Sequence, residues 1–438
     1  MRILTMGYKN VFKLIKCSDL IDGTGKRPIK DGAILLDGSK IKSIGKESEV
    51  VPPEGAKVEL YDYSNYTIMP GMIDCHTHNN GFGDGRLGEE LNLLADEILT
   101  LQSVRNLRAS LFSGVTTIRE NGPKNFTLIN LKKASDDKLL LTPRMLICGR
   151  PLSIIGGHMG YFGSEVTGID EVKAETRNLI KLGADYIKIS ATGGSTQTSF
   201  PYRHSFNMDE LIAITEEAQK FGKLTATHCV SSQGIVNSIQ ADVDMIIHCM
   251  FKEPDGSNKY RPEVVDDLFQ KGIYINPTLH VVRSTIWRLL HKKEEIGLTD
   301  HEETLLDSRQ RDFEIHLKNC TKMIDNGLKL ITGSDSSWSS YQSGNTVYET
   351  ECLNIAGLSN MDSLLSVTKE AAKSLGVYDI VGTLESGKEA DLLVLNKNPL
   401  DDINNLWDVK DVFLGGMLVN RGSEKSLKSI RQRRPSLN

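Results

Sequence analysis

Apolar residues are spaced along this chain in three successive textures. Up to about residue 66 they form short runs, at 11–17, 32–36, 40–44 and 57–63, punctuated by Gly23, Gly25, Gly38, Gly45 and the Pro52-Pro53 pair. Short apolar runs between turn residues predict strands. From residue 67 strand-like and helix-like patterns alternate. Eight runs read as strands, at 68–74, 115–119, 144–148, 186–189, 224–228, 245–248, 273–276 and 328–332. Helical periodicity occupies 170–182, 208–221, 235–241, 263–271 and 305–326, and two further helices follow at 346–356 and 361–375. Eight such alternations predict an α/β protein built on a closed (β/α)8 TIM barrel. The β texture returns at 387–395 and 409–419. Neither β-rich end is long enough for a sandwich of its own, so both termini are expected to pack into one small composite β-sandwich domain.

The expected divisions are therefore 1–66 and 379–422 for the two parts of the β domain, 67–378 for the barrel, and 423–438 for a basic, flexible tail. A polar insertion at 283–310 follows the seventh strand. At a barrel's active face such a segment serves as a lid or specificity element, or is a plain surface helix.

Composition narrows the class. With 438 residues, 39% hydrophobic and 25% charged, the chain reads as an ordinary soluble protein with a large core. A net charge of −5 argues against a nucleic-acid partner. No run approaches the about 18–20 apolar residues of a membrane span, and the first residues do not read as a secretory signal. The seven cysteines lack a CxxC pair, which suits reduced thiols and a cytoplasmic setting.

The candidate chemistry lies at strand ends. His76 and His78 close the first barrel run, and residues two apart on a strand project to one face. Lys188 lies on the fourth strand between Ile187 and Ile189, His228 ends the fifth, His248 ends the sixth, and Asp335 follows the eighth. In parallel barrels these ends converge on one rim. Imidazole and carboxylate there suit zinc or a similar divalent ion. Singly, each has a plainer reading: a structural strand histidine, a buried lysine in a salt bridge, or Asp335 as a helix cap. Together they point to a metal site. Alternation aims Lys188 into the lumen, where an ammonium is costly. A neutral amine there can take up carbon dioxide and become an anionic N6-carboxylysine able to bridge two cations.

The chain resembles the amidohydrolase superfamily of metal-dependent hydrolases. The resemblance is carried by the segments 69–78, 114–119, 241–248, 332–335 and 387–392, with Lys188 and His228. It implies two ions, zinc by preference: one held by His76, His78 and Asp335, the other by His228 and His248, with carboxylated Lys188 and a hydroxide between them. Gly149-Arg150, Gly156-Gly157-His158 and Ala191-Thr192-Gly193-Gly194 are similar to the imidazolonepropionase-related branch, which holds Xaa-Pro and Xaa-Arg/Lys dipeptidases and carboxypeptidases. That branch implies a substrate contact for His158. Its proline-dipeptide members carry a tyrosine two residues after the strand-five histidine, where this chain has Val230. A homo-oligomer is implied by the resemblance alone.

The expected reaction is hydrolysis of a C–N bond in an amide, dipeptide, carbamate or urea by the bridging hydroxide, with Asp335 relaying the proton to the leaving nitrogen. His158 would donate to the carbonyl or to a substrate carboxylate. Arg203 is a candidate carboxylate fork or a solvated loop residue, and Tyr186 is a substrate contact or a filler of the barrel layer. His204 and His280 are weaker candidates at the same rim. The alternatives are a one-metal deaminase or cyclic-amide hydrolase, for which Lys188 would have no use, and a non-catalytic scaffold.

Overall fold

Pro70 and Gly71 divide what the apolar pattern reads as one strand at 68–74. In the computed structural model, which describes residues 11–422 and 431–436, Val58–Pro70 belongs to the β domain and Met72–Thr77 to the barrel. Proline offers no amide to continue the ladder. Gly71 passes so close to Thr116 that a Cβ on it would lie 2.1 Å from the Thr116 hydroxyl oxygen. The handover thus falls a few residues past the boundary expected at 66.

Both ends of the described chain do build one β domain. Phe12–Leu20, Ile29–Asp37, Lys40–Lys46 and Val58–Pro70 join Leu392–Leu395, Val409–Leu414 and Met417–Leu418 in a single seven-stranded sheet. The expected sandwich is thus one continuous sheet. Its far regions meet where Ile41 N donates to Lys388 O and Ala390 N to Ser39 O (2.9 and 2.8 Å). Ile15, Ile34, Ile68, Leu392 and Phe413 fill the core between them.

The barrel strands run parallel in chain order. Met72–Thr77 pairs with Val115–Glu120, and that strand with Arg144–Ile147. A second arc runs through Ile187–Ser190, Thr225–Ser231, Met245–Lys252 and Tyr274–Asn276. Asp185 N donates to Ile147 O at 2.8 Å between the arcs. On the other side Ile331 N donates to Ile275 O (2.9 Å) and Cys75 N to Thr332 O (3.1 Å), which closes the ring through 328–332. That eighth segment is barely a strand, with one bridge between Ile275 and Leu330, because Thr332 N turns away to Ser366 O.

Ile187 and Ile189 pack outward against Leu179, Leu211 and Ile214 of the covering helices, so strand alternation does aim Lys188 inward. The insertion expected at 283–310 is a helical hairpin, Leu279–Glu295 and Asp300–Asp325. Thr299 caps the second helix by accepting from Glu302 N (3.3 Å). Among the described residues no helix is long and apolar enough to cross a membrane. The seven cysteines are buried free thiols.

The basic tail departs from expectation. Residues 423–430 and 437–438 lie outside the described residues, but 431–436 are docked rather than free. Gln432, Arg433 and Arg434 bond to the hairpin and to neighbouring segments, which give the basic residues carboxylate, amide and aromatic partners.

Gly71→Ala should lower stability by about 1–3 kcal/mol through overpacking against Thr116. Chemical denaturation should show it as a fallen midpoint, and adding Thr116→Ala should recover part of the loss.

Candidate metal centre

The backbone joint between the first strand and the segment after the eighth is made by Asp74. Its Oδ1 accepts from His76 N (3.1 Å) and Ser334 N (2.8 Å), and its Oδ2 from the Thr346 hydroxyl (2.7 Å). Asp335 N donates to His76 O at 2.7 Å, and His78 N donates to Ser336 O. These bonds bring side chains far apart in sequence to one point. The Nε2 atoms of His76 and His78 lie 3.1 Å apart, and Asp335 Oδ1 lies 3.4 and 3.2 Å from them. Tetrahedral coordination at about 2.05 Å per nitrogen would separate ligand atoms by about 3.3 Å. The three residues therefore form a group able to hold one metal ion.

A second pair lies beside them. His248 Nε2 is 2.9 Å from His228 Nδ1, and the His76 and His248 rings are 5.8 Å apart. Neighbours hold the far ring nitrogens: Asn276 Oδ1 at His76 Nδ1 (3.0 Å), Gly193 O at His228 Nε2 (3.0 Å) and Thr278 Oγ1 at His248 Nδ1 (2.6 Å). Partners of this kind fix ring orientation in metal sites. His248 and Asp335 have φ of 70° and 59°, the left-handed region that costs a non-glycine residue.

Lys188 is buried with them and reaches Asn121 Oδ1 at 3.5 Å. Burial first, then the Arg119 guanidinium, pushes its amine down to about 7. Burial likewise pushes His158 and His248 down to about 3, and His76 and His228 well below the ordinary imidazole range. Burial alone would raise Asp335, but His78 and His248 outweigh it and hold the carboxyl below its usual value. The neutral imidazoles and ionised carboxylate match what metal ligation requires.

A cavity of about 280 Å³ is lined by His76, His78, Lys188, His228, His248 and Asp335, and by His158. His158 lies on the loop between Leu152–Ser153 and Ser164–Glu165, with its ring 4.2 Å from that of His228. Gly194 makes room for it, since a Cβ there would sit 2.6 Å from His158 Nδ1. Thr196 Oγ1 accepts from Met159 N (3.0 Å), so its own proton is available to His158 Nδ1 (3.1 Å). A Thr196 proton given to Nδ1 would leave the His158 proton on Nε2.

Other expected contacts fall elsewhere. Tyr186 donates to Glu120 O (2.7 Å) under the Arg119 guanidinium and is a filler of the barrel interior. Arg203 is exposed and lies over the Phe200 ring at 5.1 Å, outside the cavity lining. His204 is exposed, pairing with Thr192, and His280 is buried in the first turn of the hairpin, on the face away from the cavity lining. Sequence reasoning missed Asn276, Thr278, Trp338 and Arg309. Asn276 had a signal, a polar residue at a barrel-strand end.

A family model described as "Amidohydrolase family" matches residues 67–419. The chain belongs to the amidohydrolase family. It is an enzyme acting on carbon–nitrogen bonds. It is 25% identical to ochratoxinase of Aspergillus niger over 432 residues, covering 91% of this chain and 85% of that protein. It is 26% identical to imidazolonepropionase of Brucella anthropi over 433 residues, with 88% and 93% covered. The fold is similar to a crystal structure of a Xaa-Pro dipeptidase with bound methionine, at TM-score 0.80 and 25% identity, covering 93% of this chain and all of that one.

An amidohydrolase barrel with neutral buried imidazoles has a defined pH signature. Below about pH 6.5 the unfolded chain takes up protons that the folded site refuses, so each such ring removes stability as pH falls toward its folded value. For metal-stripped protein, the denaturation midpoint should fall from pH 7 to pH 5, and His248→Asn should make that slope shallower. An unchanged slope in the variant would show that His248 is not held neutral.

Proposed function

We propose that this chain is a two-metal hydrolase that cleaves the amide bond of N-acyl amino acids, dipeptides among them. The observation that carries the reading is Lys188, buried in the lumen and sharing one cavity with His76, His78 and Asp335 and with His228 and His248. His76, His78 and Asp335 would hold one ion and His228 with His248 the other. Lys188, whose amine is pushed down to about 7 and so is partly neutral at that pH, would take up carbon dioxide and act as the ligand shared by both ions. A one-metal deaminase would have no use for this lysine.

Bound divalent ions supply a Lewis acid for a carbonyl and acidify water to near neutrality. The side chains do the rest. Asp335, ionised and beside His78, is placed to accept a proton and return it to the leaving nitrogen. His158 donates through Nε2–H to the substrate's carbonyl or carboxylate. Val230 lines the cavity where the related proline-dipeptide enzymes would place a phenol, so that donation falls to His158.

The outer cavity supports an anionic, apolar substrate. Met159, Val230, Met250, Val281, Val282 and Trp338 line it with hydrocarbon. Lys252 is already paired with Asp312 at 2.5 Å, whereas Arg309 lines the same space with no ion pair among the described residues. Arg309, rather than Arg203, is the guanidinium positioned to receive a carboxylate.

Zinc-loaded protein should bind two equivalents and hydrolyse N-acyl amino acids. Asp335→Asn should reduce kcat by about 10²–10⁴-fold, the scale of a lost proton carrier. Lys188→Ala should lose one equivalent of zinc, with part of the activity restored by added acetate. Retention of two ions and full turnover by Lys188→Ala would refute the shared-ligand role.

Arg309→Met should cost about 10–100-fold in kcat/KM for N-acetyl-L-leucine, in the range of one charge-assisted hydrogen bond. Turnover of the uncharged N-acetyl-L-leucinamide should be unaltered. Equal losses on both would show that Arg309 does not read the carboxylate.

A further inference from the structure

The docked tail lies against the helix that walls the substrate cavity. The Leu279–Glu295 helix offers two faces. Val281, Val282 and Thr285 line the cavity. His280, Ser284 and His291 face the C-terminal segment instead. Just before the helix, Thr278 holds the His248 ring at 2.6 Å. A displacement of the helix's first turns therefore reaches the cavity wall, whereas the His248 ring is held from Thr278, outside the helix.

Gln432 makes four bonds at this face. Its N donates to Asn345 Oδ1 (3.1 Å) and its O accepts from the Tyr348 hydroxyl (2.7 Å). Its side-chain Nε2 donates to Ser284 O (3.2 Å), and its Oε1 meets His280 Nε2 at 3.1 Å. Arg283 Nε donates to His280 Nδ1 (2.8 Å), which fixes the tautomer with its proton on Nε2 and makes Gln432 Oε1 the acceptor. The flanking residues pin the same segment. Arg434 pairs with Glu351 at 3.0 Å, and the other oxygen of Glu351 pairs with Arg283 at 3.1 Å. Arg433 O accepts from His291 (2.8 Å), and Arg431 lies over the Trp407 ring at 4.2 Å.

We propose that residues 431–434 are a brace for the cavity wall, with Gln432 as a positioning residue that sets the first turns of the Leu279–Glu295 helix. The side-chain bonds of Gln432 converge on that helix, and its backbone bonds anchor it to Asn345 and Tyr348, in and just before the neighbouring Val347–Ile355 helix. The segment thus ties the wall to the part of the barrel that carries Thr346 and, through it, Asp74. The activity arm of the test rests on the hydrolytic reading above; the structural arm does not.

The test uses full-length, zinc-loaded protein with Gln432→Ala and Gln432→Glu. Gln432→Glu keeps the acceptor for His280 and loses the donor to Ser284. In Gln432→Ala, backbone hydrogen exchange in the first turns of the Leu279–Glu295 helix should rise about tenfold. The barrel strands and the Asp300–Asp325 helix should be unaltered. KM should rise several-fold more for N-benzoyl-L-leucine than for N-acetyl-L-leucine, because the bulkier acyl group leans on Val281 and Val282. Their kcat values should stay within about twofold of the parent. Gln432→Glu should fall between parent and alanine variant in both readouts. Unchanged exchange in the helix, or equal KM changes for the two substrates, would overturn the brace. If the parent turns over neither substrate, the hydrolytic reading fails while the exchange result still decides the brace.

Discussion

The candidate centre depends on the buried carboxylate of Asp74. A (β/α)8 barrel closes only when its last strand returns to its first, and here that last segment is too short to secure the closure by a ladder. Asp74 reinforces the few backbone bonds there, accepting across the closure from Ser334 N and the Thr346 hydroxyl and within its own strand from His76 N. All three donors are buried with it. Burial raises the Asp74 carboxyl, and these bonds oppose that rise. A carboxylate so enclosed is tolerable only because every bond it accepts is in place. Those bonds place the residues beside it: His76 two positions later, and Asp335 next to Ser334.

The same logic governs the lumen above it. Arg119, Lys188 and Glu120 are buried within the barrel beside a cluster of imidazoles. Arg119 bonds to Cys75 O at 2.8 Å, and Glu120 Oε2 accepts from Asn79 N at 2.8 Å. Among the described residues Glu120 Oε1 and His78 Nδ1 have no hydrogen-bond partner. A core chosen for stability alone would replace such groups with hydrocarbon. Their retention, with two ligand residues held at positive φ, is a cost concentrated where chemistry requires it.

Much of this was legible in the sequence because strand alternation and strand ends are local features. Ile187 and Ile189 announced the inward aim of Lys188, and His76-Thr77-His78 announced two imidazoles on one face. The division at Pro70-Gly71 was less visible, since an apolar run is continuous across it and the close approach of Gly71 to Thr116 can be seen only in space. The second helix of the hairpin was legible at 305–326, but its cavity face was not: Arg309, Asp312 and His316 look outward in sequence but border a cavity in space. Arg309 lines the cavity and Arg203 does not, a difference the sequence hides because loop residues such as Arg203 carry no period from which direction can be read. The tail was hardest. Arg431 to Arg434 is a polar run, and only the aromatic and acidic surface waiting for it, Trp407, Tyr348 and Glu351, makes it ordered.

Two parts of the site thus differ in how they are held. The six candidate ligand side chains come from barrel strand ends and are set by ladders and by Asp74, contacts that involve the whole barrel. The outer wall comes from a helical hairpin held by side-chain bonds to other segments. Local stability follows the density of such contacts. A change in the hairpin or in what leans on it would therefore reshape the cavity wall while leaving the candidate ligand residues in place. A barrel built this way can keep one reaction and change its substrates, because the candidate catalytic groups and the outer cavity wall are anchored to different parts of the chain.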